Sequence, residues 1–186
     1  MISSIFGALR LALFSIFVCC VLYTLFIWGA AQLFVPESAN GHLIRNSAGE
    51  VIGSSQIAQK FTAGRYFHSR PSAVDYNGAG AGGSNLASTS PVLRERVKKR
   101  IAEYGATKAH PLPADLATAS GSGLDPHISL AAAQYQIPRI AKTRSIPEEA
   151  VGKIVRESVS YPGGFIRSEP FVNVLELNLK LDRLNE

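Results

Sequence analysis

The chain has 186 residues, 19 Lys/Arg against 14 Asp/Glu for a formal charge of +5, and 46% apolar residues. Charge is unevenly placed: residues 1–34 hold only Arg10, so that piece suits lipid, and the rest is long enough for one domain with a real core. These features exclude a wholly disordered chain and, with a single apolar segment, a multi-spanning transporter acting alone.

From Leu11 to Leu33 the sequence is uncharged and dense in Leu, Ile, Phe and Val. As a helix it is about 35 Å long, enough to cross a hydrocarbon core of about 30 Å. A cleaved signal peptide, with Gly29-Ala30-Ala31 as its small-residue site, has an apolar region of only about 7–15 residues, so a retained anchor is expected. Tyr23 and Trp28 suit an interfacial aromatic belt. Arg10 and the α-amino group before the span, against Glu37 and Arg45 after it, favour a cytoplasmic N-terminus. Ala8, Ala12, Ser15 and Cys19 recur at i, i+4, i+7, i+11; this is either a face on which a partner helix packs or the ordinary abundance of small residues in membrane spans. Cys19 and Cys20 are the two cysteines, both in the span, so the domain depends on its core rather than on disulfides.

After Pro36 the composition becomes polar. His42–Arg45 and Val51–Ile57 read as short strands around the turn Asn46-Ser47-Ala48-Gly49. Residues 78–90 are a long loop of small residues; Gly78-Ala79-Gly80-Ala81-Gly82-Gly83 contains GxGxxG, but no apolar strand precedes it, and close packing is expected rather than a dinucleotide site. Ser90 and Pro91 open a helix with Leu93, Val97, Ile101 and Tyr104 on one face. Arg94, Arg96, Lys98, Lys99 and Arg100 occupy the other, read as a solvated face with no nucleic acid to bind. Leu116–Ala119 reads as a strand, and Ala131–Gln136 as a helix that Pro138 ends or kinks. Ser145-Ile146-Pro147-Glu148 reads as a capping box for a helix burying Val151, Ile154 and Val155. The last segment fits both templates; leucines rather than β-branched residues, with Asn173 and Glu176 able to cap, favour a helix.

Histidines 42, 68, 110 and 127 show no metal-ligand spacing, and no P-loop or GxSxG elbow is present. A Ser-His-Asp set drawn from Ser122, His127 or His68, and Asp75 or Asp125 is conceivable; serines beside glycines more often make turns. The stretch from Ala119 to His127 lets the backbone approach a neighbour and offers N–H groups for an anion nest, with a tight connection as the simpler reading. The expected fold class is α+β: a cytoplasmic N-terminus at 1–10, a single N-terminal transmembrane helix at 11–34 and one extracytoplasmic mixed α/β domain at 35–186.

Several co-linear motifs resemble the C subunits of the Kdp potassium-transporting ATPases over nearly the whole chain. They are Ser38-Ala39-Asn40-Gly41, Tyr66 through Ala73, Gly82-Gly83-Ser84-Asn85-Leu86, Thr118 through Ile128, Gln136-Ile137-Pro138-Arg139 and Val174-Leu175-Glu176-Leu177-Asn178. Ser69 and Ala58 stand where that family usually has glycine, and Lys60 where it has asparagine. The resemblance implies a non-catalytic accessory subunit, an assembly or catalytic chaperone, of an inner-membrane potassium importer. Its implied partners are a channel-like potassium-binding subunit and a P-type ATPase subunit whose affinity for ATP it raises, with no tightly bound cofactor or metal of its own. Gln136 and the stretch Ser120, Gly121, Ser122, Gly123 to Asp125 are, by that resemblance, likened to a nucleotide-contacting signature. An outer domain lies across the membrane from cytoplasmic ATP, so any effect on ATP affinity has to travel through the partners. The part beyond residue 34 carries 18 basic and 14 acidic residues and is no whole-domain attractor for K⁺, although Asp75 or Asp125 can act locally. A membrane-anchored extracytoplasmic hydrolase, or a tethered binding module, is the alternative.

Overall fold

A computed structural model describes residues 2–161 and 169–184. The chain divides into two compact units, residues 1–43 and 44–186.

In the first unit, α1 (Ile2–Ile16) runs through a π-helical stretch, Phe17–Leu22, into α2 (Tyr23–Phe34), followed by the short α3 (Pro36–Ala39). Helix therefore begins well before Leu11, and Arg10 lies within it. Ser4–Phe34 forms one apolar helix of 31 residues, long and apolar enough to cross a membrane. At about 46 Å it exceeds a hydrocarbon core of about 30 Å, leaving length for the Arg10 end to reach headgroups. Large side chains such as Phe14, Phe26 and Trp28 are all exposed, which suits lipid and not water. Beyond Phe34 the chain bonds back on itself. The Asn40 amide donates to Gln32 Oε1 at 3.1 Å and to the Pro36 carbonyl at 2.8 Å.

The second unit opens on a two-stranded sheet of β1 (Leu43–Arg45, beginning at the last residue of the first unit) and β2 (Val51–Ser54), within the two expected strands. Asn46 holds the turn, its Oδ1 accepting the N–H groups of Ala48 and Glu50. The chain then has no regular structure until α4 (Pro91–Glu103); Ser90 precedes it with Pro91 first, but the serine side chain makes no cap bond. Next come α5 (Ala114–Ala117), β3 (His127–Ser129), α6 (Leu130–Arg144), α7 (Glu148–Glu157), β4 (Val159–Ser160), β5 (Phe171–Asn173) and α8 (Val174–Arg183). The three-stranded sheet is antiparallel in the order β3-β5-β4, with Ile128 opposite Val172 and Val159 opposite the same residue. Helices α6, α7 and α8 pack in succession beside it. Phe67, Ile128, Ile140, Val151, Val172 and Leu177 form the centre of the core, each at most 1% exposed.

Two local expectations are corrected, and one of two open alternatives is excluded. The strand expected at Leu116–Ala119 is replaced by α5, where Pro113 precedes an alanine-rich turn and the Asp115 carboxylate accepts the Ser129 N–H at 2.6 Å. Pro138 does not end α6: Gln134, whose carbonyl loses its helical donor, is exposed to water. Ser145 does not cap α7. It adopts the left-handed conformation (φ 56°) and closes α6, with Ser145 N–H on Lys142 O and Ile146 N–H on Ala141 O, a Schellman arrangement. By contrast α8 starts as expected, the Asn173 side chain accepting the Glu176 N–H.

Candidate functional site

Residues 66–74 have no regular secondary structure, yet Phe67 is fully buried. Their backbone polar groups need partners that a sheet would otherwise supply. Side-chain amides supply them. Asn178, on the buried face of α8, accepts the Phe67 N–H at 2.8 Å and donates to the Phe67 carbonyl at 3.0 Å. Gln136, on the buried face of α6, accepts the His68 N–H at 2.8 Å and donates to the His68 carbonyl at 3.3 Å. Each amide thus pairs with one residue as a neighbouring strand would.

Gln136 has nothing left to offer a ligand. Its Oε1 also accepts from Arg139 Nη2 at 2.7 Å, and its other amide hydrogen goes to the Ala132 carbonyl at 3.3 Å. All four of its hydrogen-bonding positions are occupied, at 1% exposure. Arg139 further donates to the carbonyls of Gly64 and Tyr66, and Arg144 to that of Arg65 while pairing with Asp182 at 2.7 Å. Tyr66 donates its hydroxyl to the other Asp182 oxygen at 3.0 Å.

The Ser120–Asp125 stretch grips the same segment further along. Ser120 N–H donates to the Pro71 carbonyl, and Asp125 pairs with Arg70 at 3.3 Å. Gly123 has φ +69°, and a Cβ there would lie 2.7 Å from both the Gly82 carbonyl oxygen and a Val74 methyl. A Cβ on Gly83 would meet the Gly121 oxygen at 2.8 Å. The two glycine-rich stretches therefore pack backbone against backbone, as expected for a close-packing loop. The N–H groups of Gly123 and Leu124 are spent internally, on the Ser120 carbonyl and the Ser122 hydroxyl. Gly82 N–H donates to Ser122 O, and Ala58 N–H to Leu124 O.

Electrostatics follow the burial. His68 Nε2 lies 3.2 Å from the Ala63 carbonyl, which can only accept, so that nitrogen carries the hydrogen and Nδ1 accepts from the Tyr104 hydroxyl at 3.1 Å. Burial, with the Arg139 and Arg100 charges nearby, lowers the His68 pKa to about 4, and the ring is neutral at pH 7. Burial raises Tyr104 and lowers Arg139 from their ordinary values. Hydrogen bonding from the His127 ring, whose Nδ1 lies 3.5 Å from Asp125 Oδ1, holds the Asp125 carboxyl below the usual range, helped by the His127 backbone N–H at 3.0 Å. A cleft of about 350 Å³ is lined by His68, Arg100, Tyr104, His110, Tyr135 and Arg139, with the His110 and Tyr135 rings stacked at 4.5 Å.

Of the serine, histidine and aspartate candidates, Asp125 and His127 meet. Ser122 is engaged by the Leu124 N–H, His68 by Tyr104 and Ala63, and Asp75 by Lys60 at 2.7 Å. Among the described residues no group of three or more His, Cys, Asp or Glu is arranged to hold a metal. Ala8, Ala12 and Ser15 lie exposed on α1, and Cys19, also exposed, sits in the π-helical stretch. The three departures from the family pattern are accommodated, Lys60 by its pairing with Asp75. Neither Ser69 nor Ala58 has positive φ; Ser69 is buried with its hydroxyl donating to the Gln59 carbonyl, and Ala58 is buried too. The roles of Asn178 and Arg139 were not apparent from the residues alone. The available signal was an amide at Asn178 on an otherwise apolar stripe of Val174, Leu177 and Leu181.

The family profile described as K⁺-transporting ATPase, c chain, matches residues 5–183. The "Potassium-transporting ATPase KdpC subunit" of Parvibaculum lavamentivorans is 50% identical over 181 residues, covering 97% of each chain. Those of Acidobacterium capsulatum and Gloeobacter violaceus are 49% and 47% identical, covering 88% of this chain and 89% and 87% of theirs. With these motifs, one apolar helix and a mixed α/β domain, the chain belongs to the KdpC family of potassium-transporting ATPase subunits.

Proposed function

We propose that this chain is the accessory subunit of an ATP-driven potassium importer in a bacterial inner membrane, and that it raises the ATPase subunit's affinity for ATP without holding nucleotide itself. Its N-terminus is cytoplasmic and its domain extracytoplasmic. The partners are a channel-like potassium-binding subunit and a P-type ATPase subunit, which performs the catalysis. The single observation carrying this reading is Gln136: buried, and committed by every polar atom to His68, Arg139 and Ala132. A residue so engaged acts by fixing the shape of the 66–74 segment, and Ser120 to Asp125 fix its other half. Asp75 and Asp125 are already paired with Lys60 and Arg70, so the domain steadies the complex rather than gathering K⁺. Ala8, Ala12 and Ser15 give the helix a small-residue face on which a larger membrane partner can approach closely.

Photolabelling of the purified, assembled complex with azido-ATP tests this. Label on the ATPase subunit, and none on this chain, is the expected outcome. Label on this chain, competed by ATP, overturns it.

A further inference from the structure

Helix α4 differs from the other long helices of the domain in burying no side chain. It carries Arg94, Arg96, Lys98, Lys99 and Arg100 against Glu95 and Glu103. Lys98 pairs with Glu95 at 2.9 Å and Arg100 with Glu103 at 2.8 Å, while Arg94, Arg96 and Lys99 have no carboxylate partner among the described residues. Arg96 and Lys99, three residues apart, share a wall between two shallow clefts. One, of about 310 Å³, is also lined by Ser72, Ser84 and the Arg100–Glu103 pair. The other, of about 420 Å³, continues along Pro91, the half-exposed Val92 and Glu95, whose carboxylate is taken by Lys98. The Ser72 oxygen accepts the Val74 and Tyr76 N–H groups, which leaves its own hydrogen to donate.

Arg96 and Lys99 face both clefts, with hydroxyls and the Arg100–Glu103 pair in one and Pro91, Val92 and the Lys98-paired Glu95 in the other. Two cations without a carboxylate partner beside an apolar surface match a molecule that is an anion at one end and hydrocarbon at the other. We propose that this face of α4 binds an anionic phospholipid, its phosphodiester at Arg96, Lys99 and Ser72 and its glycerol and upper acyl chain along Pro91 and Val92. A soluble phosphate ester satisfies the first cleft and leaves the second empty, which favours the lipid. Supply favours it too: a chain that carries its own apolar helix, Ser4–Phe34, meets headgroups at high effective concentration.

The test uses the full chain in nanodiscs of phosphatidylcholine alone or with phosphatidylglycerol, followed by hydrogen exchange. Each cation at an anionic surface is worth about 5-fold in occupancy, so the Arg96 and Lys99 pair supplies about 25-fold. Amides of α4 should exchange more slowly in the phosphatidylglycerol discs. That protection should vanish in the Arg96→Gln, Lys99→Gln variant, and in 1 M salt, where screening acts within about 3 Å. Both side chains are exposed, and exchange in α7 and α8 should be unchanged in the variant. Equal exchange in the two discs overturns the proposal. So does protection that survives the double substitution, or the same protection given by glycerol phosphate in phosphatidylcholine discs, which would make the site one for a free phosphate.

Discussion

The 66–74 clamp and the outer face of α4 use polar side chains in opposite ways. In the clamp, Gln136 and Asn178 are 1% exposed and bonded to main chain, whereas on α4 Arg96 and Lys99 stand exposed without a carboxylate. The first arrangement is expensive to disturb, because a buried donor or acceptor left unpaired costs about 1–3 kcal/mol. The second is nearly free for the fold, and therefore available for contact with something else. Polar residues in the signature motifs thus report on shape, and those on the rim report on surroundings.

Substitutions should separate the two regions by size of effect. Asn178→Leu strands both the N–H and the carbonyl of Phe67 and should cost the full chain about 2–5 kcal/mol in chemical unfolding. Gln136→Leu should cost about as much, and the double substitution less than the sum, because the two amides hold adjacent residues. A loss below about 1 kcal/mol for either would mean that the segment is held elsewhere. Gly123→Ala should cost about 1–3 kcal/mol, combining a left-handed backbone with overlap on the Gly82 carbonyl, and should be read as a lowered unfolding midpoint.

Acid should weaken the clamp in a definable window. The unfolded chain binds a proton at His68 below about pH 6.5, while the folded chain, with its pKa lowered to about 4, does not. Stability should therefore fall as pH drops from 6.5 towards 4 and then level off for this group, with Asp125 adding a loss at still lower pH as its lowered pKa is crossed. His68→Gln should flatten the first part of that profile; an unchanged slope would remove His68 as its cause. At the smallest end, Arg96→Gln and Lys99→Gln should each change stability by no more than about 0.5 kcal/mol.

Much of the frame was legible in the sequence because one physical signal dominated each element. The uncharged run named the long helix, leucines with an Asn173 cap named α8, and Val151, Ile154 and Val155 named the buried face of α7. Elements with competing signals were misread or stayed open. Ser145 satisfies the spacing of a cap for α7, yet the chain uses it to stop α6, a choice fixed by how α6 and α7 meet rather than by the local string. From the sequence Pro138 leaves an end or a kink open; the helix runs on through it, since packing of the whole helix outweighs one missing bond on its wet side. The clamp was the least legible feature. Gln136 and Asn178 reach residues 68 and 111 positions away in the chain, a pairing that no periodicity announces. The motifs carried by the resemblance contained these residues without saying what they hold.

The claim on which the functional account rests is that the domain stands on the far side of the membrane from ATP. Protease added to intact spheroplasts carrying a C-terminal tag on this chain tests it most directly. The account predicts that the tag is lost while a cytoplasmic marker survives; a tag protected until the membrane is opened would contradict it.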